Sequence, residues 1–284
     1  MPDIISRKKY ATDVTDEQWS IIEPLVTGAS CENRRGRHRT VSLRDVLNTI
    51  FYINRTGCQW DMLPHDLAPK STVYDYFAKW RDDGTLDKVL TALRTRIREE
   101  AGREATPSVA CIDSQSAKTT EVGGNERGYD GGKKIKGRKR HLLVDVLGLL
   151  IAVVVTGANA DDGTAAPLVI ERMDVNDFPR MQVIFGDNKY NNKSLNSWME
   201  RERPDWSIEV QKPRKDIKGF SPIRIRWVVE RSNAWHSRCR RNSKDYERRT
   251  DSSESMIKIS HIGVMLRRCS PTKSPNFNYR NAEV

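Results

Sequence analysis

The sequence predicts an α/β protein: a mixed five-stranded sheet flanked by helices, preceded by an all-helical segment. Three observations carry this. Apolar residues recur at helical spacing from residue 15 to residue 100. From residue 108, short apolar runs of strand length replace that pattern. Beyond it, strands and helices follow in the order β, β, β, α, β, α, β, α, an antiparallel hairpin beside parallel strands with crossover helices.

Each element has a local cause. Thr15 and Gln18 form a capping box ahead of Trp19, Ile21, Ile22 and Leu25. Ser42 and Asp45 open a second helix with Val46, Leu47, Ile50 and Phe51 on its apolar face, and Thr56-Gly57 stops it. Pro64 and Pro69 mark a loop, Ser71 is expected to cap a third helix, and residues 86–100 form a fourth. Helix, glycine-containing connection and helix follow the helix-turn-helix plan loosely. The pattern changes at 101–107. Residues 108–113, 139–146, 149–156, 181–187 and 207–210 read as strands, and the glycine-rich stretch 123–132 as a loop. Helices are expected from Asp161 or Asp162 to Met173, and over 194–203, 224–241 and 253–268. The resulting division is a helical unit over 1–104, an α/β unit over 105–270 and a flexible tail over 271–284.

Charge narrows the function. Lys and Arg number 49 against 38 Asp and Glu, a net charge of +11, which favours a polyanionic partner. The excess is local: 13 basic against 4 acidic residues over 212–249, and 8 against 3 over 118–141. The five cysteines show no zinc-site spacing, so a structural zinc is not expected and reduced cytosolic thiols are. No secretory segment is visible, and the longest apolar run, 149–155, is far too short to span a bilayer. A cytoplasmic, nucleoid-associated protein without a membrane partner is the expectation.

Three acids stand out. Asp113 and Asp187 each close an apolar run, and Glu230 lies in an arginine-rich helical pattern. A carboxylate at the tip of a buried strand stays charged only when solvated or bound to a cation. In a basic protein, this trio points to divalent metal acting on a phosphodiester. Arg226, Glu230, Ala234 and Arg238 recur every four residues, one helix face, while Ile223, Trp227, Val228 and Trp235 are expected to pack on the sheet. Asp145 reads as a structural pair, Asp161 and Asp162 as helix caps, and His141 and His236 as packing or phosphate contacts. The tryptophans, Trp60, Trp80 and Trp227 among them, read mostly as core.

At these residues the chain resembles bacterial insertion-sequence transposases of the DDE class, in the insertion sequence 5 type group with a ribonuclease H-like catalytic domain. Carrying the likeness are Thr56-Gly57-Cys58-Gln59-Trp60 with Met62-Leu63-Pro64-His65, and Cys111-Ile112-Asp113-Ser114-Gln115-Ser116. Gly137-Arg138-Lys139-Arg140-His141-Leu142-Leu143-Val144-Asp145, Trp227-Val228-Val229-Glu230-Arg231 and Lys244-Asp245-Tyr246-Glu247-Arg248 complete it. The family's helical motif, Tyr-x2-Arg-x3-Glu-x6-Lys, is kept at Arg226 and Glu230, whereas Ile223 and Ser237 stand at its tyrosine and lysine positions. Asn188-Lys189 intervene between Asp187 and Tyr190.

The resemblance implies that Asp113, Asp187 and Glu230 are the catalytic and metal-binding acids, holding two Mg²⁺ ions, with Mn²⁺ as a substitute. It implies cleavage at the element's terminal inverted repeats, transfer into target double-stranded DNA, and a homodimer when two ends are synapsed. DNA contacts are expected from Arg226, Arg231, Arg238, Arg240 and Arg241, from Lys136, Arg138, Lys139 and Arg140, and from Arg35 and Arg37 in the helical unit. A stand-alone nuclease on the same fold and a non-catalytic DNA-binding protein are the alternatives.

Overall fold

The computed structural model describes residues 7–27, 41–210 and 224–271, apart from the side chains of 224–226. Four helices come first. In α1 (Asp16–Thr27) the capping box forms as expected, the Gln18 N–H donating to Thr15 Oγ1 and the Thr15 N–H to Gln18 Oε1, each at 3.2 Å. Ser42 accepts from the Arg44 N–H at the start of α2 (Leu43–Thr56). Gly57 ends that helix in the left-handed region, φ 72°, its N–H returning to the Ile53 carbonyl. A Cβ on Gly57 would lie 3.0 Å from Arg240 Cβ, so glycine serves both the turn and the close approach. α3 (Lys70–Asp82) begins one residue before Ser71, because Pro69 fixes the entry without a side-chain cap. α4 (Thr85–Glu100) follows.

The sheet is built around β1 (Val109–Lys118) and β3 (Ile135–Asp145), antiparallel along their whole length. β1 runs five residues beyond the expected end because β3 continues to pair with it. β5 (Val183–Gly186) lies parallel to β1, and β6 (Ser207–Val210) parallel to β5. β4 (Leu150–Gly157) pairs with β3 on its other side. The glycine-rich stretch expected as loop contains a sixth, short strand, β2 (Gly128–Asp130), which pairs with the first residues of β3 beyond the end of β4. α5 (Asp162–Ile170), α6 (Lys193–Glu202), α7 (Arg224–Ser237) and α8 (Thr250–Cys269) complete the fold.

Strand alternation sorts the core into two faces. Ala110, Ile112, Leu143, Ala152 and Val154 meet α5 and α6 through Ala166, Val169, Ile170, Leu195 and Met199. Cys111, Leu142, Val144, Val153 and Val155 face the other way, into one continuous cluster with Ile257 and Ile262 of α8 and Ile50, Phe77 and Leu90 of the first four helices. α8 is buried nearly all round, so it is the central strut between the helical region and the sheet.

Three histidines titrate inside this core. Burial pushes His141 down to about 4 and His261 to about 3, and holds His236 well below its ordinary value. The unfolded chain takes these protons first, so their contribution is complete above the unfolded pKa of about 6.5 and is lost as pH falls. At pH 5 His141 and His261 should each cost on the order of 2 kcal/mol. Asp113 and Glu254, both raised by burial, titrate in the opposite sense and offset part of it. Thermal melts should therefore show a clearly lower Tm at pH 5.0 than at 7.5; equal values would contradict the assignment.

Candidate active site

The register of the sheet brings the two aspartates together. Val109 pairs with Val183, Ala110 with Ile184 and Cys111 with Phe185 in parallel, and the same offset carries Asp113 to Asp187. Adjacent strands lie about 4.8 Å apart. Asp113 sits inside β1, not at its tip, because β1 continues after β5 has ended. Asp187 is the first residue beyond β5 and caps the short turn Asn188–Tyr190, its Oδ1 accepting the Lys189 N–H at 2.9 Å.

Glu230 arrives by a polar contact between α7 and β1. The buried stripe of α7 is Val229, Ser232, Asn233 and His236; of the residues expected there, Val228 packs partly buried against the core, Trp235 is half-buried and Trp227 is exposed. Asn233 Nδ2 donates to Asp113 Oδ2 at 3.3 Å, and His236 Nε2 lies 3.1 Å from Gln115 Oε1. Steps of three on the helix thus match steps of two on the strand, and α7 is zipped along β1. Glu230, one turn before Asn233, is exposed, and its charge reaches Asp113. Burial, above all, pushes Asp113 up to about 6; the carboxylates of Asp187 and Glu230 add to the rise, against Lys133 and a backbone hydrogen bond at Ser114.

A half-buried aspartate that feels the charges of two further carboxylates offers the hard oxygen donors that a divalent cation of the Mg²⁺ type prefers. Among the described residues, no group of three His, Cys, Asp or Glu side chains lies close enough to enclose an ion by itself.

The basic residues divide. Arg138 is fully buried, pairing with Asp245 at 3.1 Å and donating to the carbonyls of Asn125, Glu126, Glu247 and Arg248. Arg140 is buried against the carbonyls of Asn242 and Lys244. Lys139 holds Asp162 at 2.9 Å, and Arg241 holds Glu247 at 2.6 Å. These four are corrections to the expected DNA contacts: their charge is spent fastening segments 125–126, 162 and 242–248 to the sheet. Arg231 is half-buried between Trp227 and Trp235, 4.8 and 4.9 Å from their rings, and donates to the Leu147 carbonyl. Arg238, Arg240 and Lys136 are exposed. α7 ends at Ser237 and a separate turn, Arg240–Asn242, follows, so Arg238 and Arg241 do not continue the helix face that bears Glu230. Arg35, Arg37, Ile223 and the side chain of Arg226 lie outside the described residues.

Asp145 is a buried partner of Arg98 at 2.6 Å, as expected. Asp161 caps α5 through the Thr164 N–H, whereas Asp162 is no cap but a buried carboxylate shared by Lys139 and Lys189. Burial alone would raise Asp162; hydrogen bonds from Lys189, Lys139 and Ser114 bring it to about 2. His141 packs inside, with Nε2 at 2.9 Å from Thr156 Oγ1. Trp80 is core, but Trp227 is 51% exposed. Asn233, the part played by Lys189 and the role of Asp162 were not foreseen from the sequence, whereas Lys133 stood at the head of the basic run 133–140 expected to follow DNA. Asn233 was discoverable, since it stands three residues after Glu230 on the helical period.

Residues 104–262 match the family described as "Transposase DDE domain", and residues 14–90 the family "Putative transposase of IS4/5 family". The "Putative transposase for insertion sequence element IS402" of Burkholderia cepacia is 32% identical over 130 residues, 43% of this chain and 60% of that protein. The "Insertion element IS402 uncharacterized 16.2 kDa protein" of the same organism is 28% identical over 113 residues, 39% of this chain and 76% of that one. The match therefore spans about 60% of the length of the first relative. The cryo-EM structure of a piggyBac transposase synaptic complex with hairpin DNA aligns at a TM-score of 0.35 and 11% identity, over 90% of this chain and 73% of that one, too distant to carry an argument.

Proposed function

The chain belongs to the transposase DDE domain family, and from that premise we propose that it cleaves DNA at the ends of an insertion element and joins them to target DNA. The observation that carries the reading is the β1–β5 register, which sets Asp113 level with Asp187 while α7 brings the charge of Glu230 to bear on the same side chain.

Asp113, Asp187 and Glu230 would hold Mg²⁺, in the two-ion form, with Mn²⁺ as substitute. Bound there, such ions activate the attacking oxygen and stabilise the leaving one during in-line displacement at a phosphodiester. The protein's own part is placement. Asn233 fixes the Asp113 carboxylate, the Asp187 cap fixes the turn after β5, and the His236–Gln115 contact holds α7 against β1. The exposed Arg238, Arg240 and Lys136 would meet phosphates, as would Arg226, Arg35 and Arg37. Residues 1–104 would supply contacts to the element's ends, and residues 105–270 the chemistry. A homodimer would bring two ends together in the cytoplasm, at the nucleoid; no described helix is long and apolar enough to cross a membrane.

The test uses the inverted repeats flanking the reading frame. Pre-cleaved end duplex, a target plasmid and Mg²⁺ should give a joined product carrying the labelled 3′ end. Cutting without joining would replace this reading with that of a nuclease; neither, with binding retained, would leave a DNA-binding protein.

A further inference from the structure

Asp162, at the start of α5, is only 3% exposed, yet it receives two ammonium groups, Lys139 Nζ at 2.9 Å and Lys189 Nζ at 2.8 Å. Lys139 is itself enclosed and also donates to the Ala160 carbonyl at 2.6 Å, so Asp162 and Lys139 already form a neutral buried pair. Lys189 is the surplus cation. Its side chain is 53% exposed, and it is held at both ends: the backbone N–H on Asp187 Oδ1 and the ammonium on Asp162 Oδ2. A lysine carries three N–H donors, and Asp162 takes one of them. Asp187 and Asp130 lie near enough for their charges to be felt at the ammonium.

A lysine present only to neutralise the acidic trio would lie on Asp113 or Asp187. This one lies instead on a carboxylate that another lysine has already neutralised, at the rim of the site, with its charge still to offer. A phosphodiester approaching three carboxylates meets repulsion, and a fixed ammonium beside its path offsets it without reorganisation. We propose that Lys189 contacts a non-bridging phosphate oxygen of the DNA strand bound at the carboxylate site, with Asp162 as its positioning residue. The inference deepens the reading above and rests on it.

The test compares wild type, Lys189→Met, Lys189→Arg and Asp113→Asn in three measurements. These are Mn²⁺-dependent nicking of supercoiled plasmid, Mn²⁺ affinity by calorimetry without DNA, and the salt dependence of binding to a duplex of arbitrary sequence. Lys189→Met should slow nicking about tenfold to a hundredfold, leave Mn²⁺ affinity within about threefold, and make the logarithmic salt slope shallower by about one. Lys189→Arg should restore the slope and part of the rate. An unchanged slope overturns the proposal whatever the nicking rate. So does a Mn²⁺ affinity raised tenfold or more, which marks Lys189 as a counter-ion of the carboxylates. If wild type and Asp113→Asn nick alike, the cleavage reading has failed, and the slope alone judges Lys189.

Discussion

Replacing Asp113 with asparagine is expected to lower metal-dependent DNA cleavage on the order of a thousandfold or more, the several kcal/mol that a metal site supplies to such a reaction. Duplex binding should stay within about twofold, since under the proposed function it would rest on exposed basic residues elsewhere. The fold should not suffer. Burial raises the Asp113 carboxylate to about 6, with Asp187 and Glu230 adding to the rise, so the charged form is a liability to the folded chain at neutral pH. Asparagine keeps the shape and the contact with Asn233 while removing the charge. In EDTA the variant should therefore melt at or above the wild-type temperature, and added Mg²⁺ should raise the Tm of wild type alone. A variant that lost activity together with several degrees of Tm would show Asp113 to be a structural residue. Undiminished cleavage by a folded variant would move the chemistry elsewhere.

Arg138→Ala should be the most damaging single change to stability, costing about 3–5 kcal/mol and on the order of 10 °C in Tm. The guanidinium is wholly enclosed and serves one carboxylate and four backbone carbonyls from two separate segments. Its removal takes away the ion pair of the buried Asp245, leaving it hydrogen bonds from Ser253 Oγ at 2.6 Å and the Glu247 N–H at 3.1 Å and the charge of the buried Arg140. Lysine at 138 keeps the charge but not the planar fork, and should recover only part of the loss. Melting curves decide this directly. A well-folded Arg138→Ala protein with weakened DNA affinity and a shallower salt slope would restore the surface role that the sequence suggested.

Arg138 also shows where sequence reading stops. A strand written Lys136, Arg138, Lys139, Arg140 looks like a solvated track, because nothing nearby announces that segment 242–248, a hundred positions later, will close over it. Only the fold supplies the carbonyls that absorb the guanidinium charges. The same limit hid β2, whose three residues have no apolar alternation of their own and are ordered by the end of β3. It also misassigned the packing stripe of α7, where Ser232, Asn233 and His236 are buried because each finds a polar partner: Gly148, Asp113 and Gln115. The acids were legible for a different reason. Each aspartate closes an apolar run of strand length, which the sequence displays, but the parallel register that sets the two level is supplied by the fold. Glu230 was not legible from helical spacing alone; its arginine-rich helical setting singled it out only together with the two aspartates and the family resemblance.

The strut made by α8 limits how this molecule can be divided or can move. A fragment beginning at residue 105 would lose α1 to α4 and leave the apolar side of α8 that packs on them wet, so it should clump rather than stay monomeric. Among the described residues grip and blade are cast in one piece, so under the proposed function two DNA ends would be aligned by turning whole molecules rather than by one half swinging on the other.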